Sequence, residues 1–355
     1  MYKILIILIG ISFMNTLRAS EVESEKKLSK AKAEIELKRR DSLTFYTDND
    51  NLSSAVDQDY TGGGSLLYAG DGAAKHLFSI NMLLTYTNRL LGLENKNTVL
   101  NLPFYSYELG LTNFTPEDIN TSMPIYNDRP YSNLLFIANG QQSLSEDHKS
   151  AWVSSLTLGI IGTRAGGDIQ NSIHKLIEVD EAKGWRNQIS DGGEFTLKYE
   201  LLRSKSLVNA KYFQLIGNYS ASLGFLTEAM LGFEVRTGLL RSPWWSIAGN
   251  QSKVGSKTRP TTILNKNRDI YLFLGAQAKG RLHNSFIQGQ FRSSKHKYSF
   301  SEVNQGIVEA WAGVNIQLIS SLSFGYLYSF QTSEIKSGKA DRDFNWGTAQ
   351  VTYAF

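Results

Sequence analysis

The chain has no cysteine, so neither a disulfide framework nor thiolate chemistry is open to it. Its net charge is only +4 over 355 residues, too near neutrality for a nucleic-acid-binding protein. Beyond an apolar stretch at residues 4–13, no run approaches the roughly 20 residues that a membrane-spanning helix needs. Mean hydropathy is −0.25, far below that of a helical membrane protein. No Gly-x-Ser-x-Gly elbow, Cys–His pair or phosphate-binding glycine loop is found. A hydrolase built on this chain would therefore rely on water activated by a histidine rather than on a covalent nucleophile.

What is present is alternation. In the closing segment 345–355, Ala349, Val351, Tyr353 and Phe355 fall on one face, and Gln350, Thr352 and Ala354 on the other. Leu322, Phe324, Tyr326, Tyr328 and Phe330 repeat the pattern, with Ser323, Gly325 and Ser329 behind them. Strand side chains point to opposite faces in turn, so a period of two marks a sheet with one apolar and one polar face. A soluble antiparallel sandwich would share that pattern. Three features favour an all-β transmembrane barrel instead. The last residue is a phenylalanine, an ending that resembles the terminal strand of bacterial outer-membrane barrels. Charges fall opposite the apolar band, as in Glu194/Thr196/Lys198/Glu200 behind Phe195/Leu197/Tyr199/Leu201. Finally, a barrel dilutes its lipid-facing half with polar lumen residues, which explains the low mean hydropathy.

In chain order, residues 1–20 read as a secretory signal peptide with a basic start, an apolar middle and small residues at Ala19 and Ser20. Residues 21–40 hold 12 charged side chains and read as a solvated periplasmic segment. Residues 41–355 form the barrel domain. Alternation predicts strands over 42–49, 60–70, 104–112, 132–139, 152–161, 194–203, 207–219, 229–240, 269–280, 283–292, 306–318, 321–331 and 346–355. A single-chain bacterial barrel needs an even number, so one segment is spurious or 77–87 adds another. The expectation is 12 strands, within a range of 12–14. The long interruptions 71–103, 113–131, 162–193 and 241–268 are expected outside the cell, because periplasmic turns are short. Within the third, Ile169, Ile173, Leu176 and Ile177 fall at helical spacing and predict a short helix over 166–180, closed by Gly184. His174 lies beside that stripe, on a face shared with Gln170 and Glu178.

Three polar clusters could carry chemistry: 47–51 (TDNDN), 57–64 (DQDYTGGG), and His174 with Glu178, Asp180 and Glu181, followed by 184–188 (GWRNQ). Clustered Asp and Asn oxygens suit a hard cation such as Ca²⁺, although the spacing is not an EF-hand and such runs also occur as ordinary turns. Gly62, Gly63 and Gly64 suggest a bend or a close backbone approach.

At these clusters the chain resembles the outer-membrane lipid A 3′-O-deacylase family. The matching pieces are Asn49-Asp50, Asp59-Tyr60-Thr61-Gly62, the segment 110–116, Asp128-Arg129-Pro130-Tyr131, and residues 174–188. They occur in family order over about residues 42–192. The resemblance implies a twelve-stranded barrel in the bacterial outer membrane, a monomer acting on lipid A or lipopolysaccharide with Ca²⁺ as cofactor. It implies His174 as the catalytic histidine, Asn49 and Asp50 as the essential pair, and Thr61 in the cleft. Asp50 would be a metal ligand. A second acidic ligand is open among Glu178, Asp180 and Glu181, with Glu178 also a candidate to orient His174. Ser132-Asn133 and Arg186 depart from the family pattern and bear on substrate fit. Two readings compete: a porin or adhesin barrel without catalysis, and an outer-membrane phospholipase using a serine such as Ser172 or Ser190.

Overall fold

The computed structural model describes residues 40–50, 59–93, 104–145, 147–176, 178–246 and 268–355. The signal peptide, the charged segment up to residue 39, and Asn51 and Asp57 lie outside the described residues. Twelve antiparallel strands close into one barrel, each pairing with its sequence neighbours and β1 closing on β12. They are β1 Ser42–Asn49, β2 Asp59–Ala69, β3 Phe104–Thr115, β4 Ser132–Leu144, β5 Ser150–Ile161 and β6 Glu194–Asn209. The circle continues with β7 Phe213–Gly224, β8 Leu226–Leu239, β9 Ile270–Asn284, β10 Gly306–Ile319, β11 Leu322–Gln331 and β12 Phe344–Ala354. Among the described residues three α-helices accompany them: α1 Asn81–Leu90, α2 Arg164–Leu176 and α3 Ser285–Gln288. No helix among the described residues is long and apolar enough to cross a membrane.

The apolar stripes point outward. Phe45, Leu66, Leu109, Leu197, Leu272 and Phe324, from six different strands, are all exposed, whereas a sandwich would pack them inside. The intervening residues line a filled lumen. Tyr60, Phe114, Phe136, Phe286 and Trp346 belong to one buried cluster there. Charges that face inward are paired, as Lys198 with Glu200 at 3.1 Å and Arg281 with Glu228 at 2.7 Å. Lipid on one side and packed polar groups on the other explain why alternation persists round the circle.

Two segments depart from expectation. Residues 283–292 are not a strand. Asn284 ends β9, and its side-chain oxygen accepts the Phe286 N–H at 3.0 Å to start α3, so a helix cap overrides the short alternation. Residues 77–87 add no strand either, since a turn and the start of α1 at Asn81 occupy them, and the count is twelve. The helix predicted over 166–180 is present as α2 but stops at Leu176; Glu178 turns left-handed at φ 58°, well before Gly184.

The long connections do not share one side. Successive turns of an antiparallel barrel alternate ends, so the described residues within 113–131 and 162–193 lie at one end, and those within 71–103 and 241–268 at the other, with Ser42 and Ala354. The short connections 145–149, 210–212 and 320–321 mark that second end as periplasmic. The described parts of its two long connections are absorbed by the barrel. Residues 70–93 lie against the outer wall, and Trp244 joins Phe104, Leu144 and Ile216 in a buried plug.

Candidate functional site

A cavity of about 690 Å³ opens where β1, β2 and β3 end and α2 covers them. Its wall includes Asn49, Thr61, Asn113, Gln170 and His174, beside Phe45, Leu111, Ile169 and Ile173. Polar groups of the strand ends therefore meet apolar groups of the lipid-facing surface in one cleft. Strand β2 carries a bulge against β3 between Asp59 and Gly62, and bulges re-aim side chains next to sites. That bend is the local role the glycine run suggested.

Helix α2 is inside out by the standards of a soluble protein. Gly166, Gly167, Gln170 and His174 are buried against the barrel, while Ile169, Ile173 and Leu176 are exposed. Two glycines permit the close seat. A Cβ on Gly167 would stand 2.7 Å from the Trp185 ring, and one on Gly166 2.6 Å from the Asn133 amide. The Gly166 carbonyl accepts from Asn113 Nδ2 at 2.9 Å, tying the helix to the end of β3.

His174 Nδ1 lies 2.6 Å from the Asp180 carbonyl, which can only accept, so Nδ1 carries the proton. Gln170 Nε2 faces His174 Nε2 at 3.4 Å. The Gln170 orientation is itself set, because the Trp185 indole N–H donates to Gln170 Oε1 at 2.9 Å. An indole can only donate, which turns the amide hydrogens toward the imidazole. His174 Nε2 is thus the unprotonated nitrogen, the form a general base requires. The Nδ1 hydrogen, expected to meet the Glu178 carboxylate, goes to main chain at Asp180. Glu178 is exposed and is not among the residues lining the cavity.

Asn49 donates from Nδ2 to the Thr61 carbonyl at 2.7 Å, joining the ends of β1 and β2. The Thr61 hydroxyl bonds that of Thr115. Asp50 is buried just past Asn49 and is not among the lining residues. Asp48 does line the cavity and accepts the Tyr60 hydroxyl at 2.7 Å. The donors on this side (Asp48, Asp50, the Asn49 amide oxygen and main-chain carbonyls) are all oxygen, the type a hard cation such as Ca²⁺ takes. Among the described residues no three His, Asp or Glu groups form a metal cluster, so donor type alone carries the fit.

The remaining motif pieces meet at the rim. Arg342 donates to Asp59 at 2.7 and 3.0 Å and to Asp128 at 2.8 Å, clamping the start of β2 to the loop before β4. Burial opposes the Arg342 charge, but its bonds to Asp59 and the attraction of both carboxylates outweigh it and raise its pKa. Arg129 lies among the same carboxylates, and burial brings its pKa down to about 10. Tyr131 packs its ring on Trp185, centroids 5.0 Å apart. Sequence reasoning missed Arg342. It placed Gln170 on the His174 face, Asp180 among the open acidic ligands and Trp185 in the third polar cluster, but not the bonds that join them to the imidazole.

The two serines considered for a phospholipase have their hydroxyls engaged with other groups. Ser172 donates its hydroxyl to the Asp168 carbonyl and Ser190 to the Glu194 carboxylate, at 2.7 and 2.6 Å. His283 Nε2 does lie 3.1 Å from Ser285 Oγ, but Ser285 is fully buried.

The fold is shared with LpxR from Salmonella typhimurium, at a TM-score of 0.68 and 17% identity, covering 88% of this chain and 100% of that one. The translocator domain of autotransporter NalP from Neisseria meningitidis aligns at 0.43 and 9% identity, over 96% of this chain and 98% of that one. An outer membrane channel from Pseudomonas putida F1 aligns at 0.42 and 8%, over 89% and 95%. No curated protein matches the chain by sequence. The family model described as outer membrane protein LpxR matches residues 6–355. A match over nearly the whole length, joined to a closed barrel with its apolar face outward, shows that this chain belongs to the LpxR family of bacterial outer membrane proteins.

Proposed function

We propose that this barrel is an ester hydrolase that removes the 3′-linked acyloxyacyl group from lipid A in the outer leaflet. The observation that carries the reading is His174, its Nδ1–H held by the Asp180 carbonyl and its side chain in the wall of a half-apolar cleft shared with Asn49 and Thr61. Acyl chains already surround Phe45, Ile169 and Ile173 in the membrane, so a substrate chain can enter the cleft from the side.

In this reading His174 Nε2 takes a proton from water as the water oxygen attacks the ester carbonyl carbon. The Asp180 carbonyl steadies the imidazolium that forms. As the tetrahedral centre collapses, the bond to the 3′-oxygen breaks and that oxygen takes the proton from Nε2. The products are a 3′-hydroxyl on lipid A and a free acyloxyacyl acid. Asn49, which donates to the Thr61 carbonyl and stands in the cavity wall, would assist in stabilising the developing oxyanion. Asp50, with Asp48 and the Asn49 amide oxygen beside it, would hold Ca²⁺, whereas Glu178, exposed and outside the cavity lining, is not placed to join them. When bound, Ca²⁺ supplies Lewis-acid polarisation of the ester carbonyl. Every residue invoked comes from one chain, which suits a monomer.

A filled lumen favours this over a channel. The test is mass spectrometry of lipid A from cells expressing the chain, with and without chelator. Loss of one acyloxyacyl unit, suppressed by chelator, is the expected result; an unchanged lipid A profile overturns the reading.

A further inference from the structure

The connection after β2 runs over the outside of the barrel, at the end opposite the cleft. The Ala73 carbonyl accepts from Asn139 Nδ2 at 3.2 Å, and the Ile80 N–H donates to Asn139 Oδ1 at 2.8 Å. Gln141 Nε2 donates to Asn81 at 2.8 Å and to Thr85 at 2.7 Å. Asn88 donates to Gln141 at 2.9 Å and to Ser154 at 2.8 Å, and accepts from the Tyr199 hydroxyl at 2.8 Å. His76 stacks on Tyr107 with centroids 4.9 Å apart. The wall partners Tyr107, Asn139, Gln141, Ser154 and Tyr199 alternate with the buried Glu108, Ala138, Gln142, Ser155 and Glu200. They are therefore outward positions of β3, β4, β5 and β6, and residues 70–93 form a belt across four strands.

Polarity in this belt is reversed. The side gripping the wall is mostly polar, with Leu84 buried among the amides, and the side facing away presents Leu77, Phe78, Met82, Leu83, Tyr86 and Leu90, each 47–86% exposed. Arg89 is the one formal charge between residues 77 and 93. Nearer the cleft, the same strands turn Leu109, Leu135, Ile160 and Leu197 outward. Bare in hydrocarbon, each unsatisfied polar group of the wall would cost several kcal/mol. The belt supplies their partners and carries the apolar surface outward in their place. Water would meet six large apolar side chains on one short segment; acyl chains continue the lipid-facing band without a break.

We propose that the belt lies inside the membrane, with α1 bedded in the periplasmic leaflet and phospholipid acyl chains packed on Met82, Leu83, Tyr86 and Leu90. The barrel then reads lipid on a composite surface, bare strands on one side and a helix on the other. This inference rests on the barrel alone and stands or falls separately from the deacylase reading.

The natural absence of cysteine allows one spin label at a time on the full chain in phosphatidylethanolamine–phosphatidylglycerol vesicles. Labels at Met82→Cys, Leu83→Cys and Tyr86→Cys are expected to collide with oxygen rather than a water-soluble nickel chelate, to the degree seen for Leu197→Cys on the bare wall. A label at Lys211→Cys, in an exposed turn at the same end, reports water. Nickel access equal to that of Lys211→Cys overturns the proposal. So does spin–spin broadening that vanishes on dilution with unlabelled chain, which would identify a second copy as the occupant. The unsubstituted chain gives an independent reading in vesicles whose acyl chains carry a diazirine. Photolabelling of residues 77–91 is expected, and labelling of the Leu197 wall without them overturns the proposal.

Discussion

The indole N–H of Trp185 donates to Gln170 Oε1 at 2.9 Å, and that bond turns the Gln170 amide hydrogens toward His174 Nε2, backing the Nδ1–H form that the Asp180 carbonyl favours. Trp185→Phe removes the donor and leaves the Gln170 amide free to turn its oxygen toward His174. Lipid A deacylation is expected to fall about tenfold, the worth of roughly one hydrogen bond. Nitrogen NMR of the imidazole should show the Nδ1–H form in the wild type and a mixture in the variant; an unmixed spectrum would show that the relay does not set the tautomer.

His174→Ala and Asp50→Ala should each suppress deacylation by about 10²–10⁴-fold, the range for loss of a positioned proton acceptor and a comparable loss for an electrostatic partner. Both variants should keep the heat-sensitive electrophoretic shift of a folded barrel. Wild-type rates in either folded variant would refute the site.

Chelation with EDTA should remove activity, and Ca²⁺ should restore it more fully than Mg²⁺. Oxygen donors gathered at a strand end suit the larger ion, which accepts more ligands at longer distances. Full activity in EDTA would remove the cation from the mechanism.

Gly167→Val should lower activity without unfolding the barrel. The added side chain begins 2.7 Å from the Trp185 ring, so α2 must shift outward and carry His174 with it. A variant of normal activity would show that the helix seat tolerates displacement.

Arg342→Ala should destabilise the chain by about 3 kcal/mol, because removing one partner leaves the buried Asp59 and Asp128 carboxylates uncompensated. The midpoint of denaturant-induced unfolding in detergent or lipid measures it. An unmoved midpoint would mean that Arg129 alone holds the two acids.

The strands were legible because alternation has one cause, hydrocarbon on one side and paired polar groups on the other, and Phe195, Leu197 and Phe324 report it locally. The strand read at 283–292 failed because a single capping bond, from the Phe286 N–H to Asn284, ends the extended chain and outweighs a ten-residue pattern. The belt at 70–93 escaped because its polar and apolar faces are inverted, and amphipathic pattern alone does not say which face meets the protein. His174, Asn49 and Thr61 could be singled out as residue types in a pattern. Their meeting in one cavity could not, since Thr61 and His174 are brought together across three strands and a helix.

Alone, the amino-acid order determined a barrel with lipid outside, an amphipathic segment carrying His174, and oxygen-rich strand ends. Only the closed fold decided which end of the barrel each connection occupies, that main chain at Asp180 receives the imidazole proton, and that Arg342 joins two acids far away in sequence. The reason is physical: period and polarity act between neighbours along the chain, whereas a proton's location and a carboxylate's partner depend on groups that meet only once the sheet has closed.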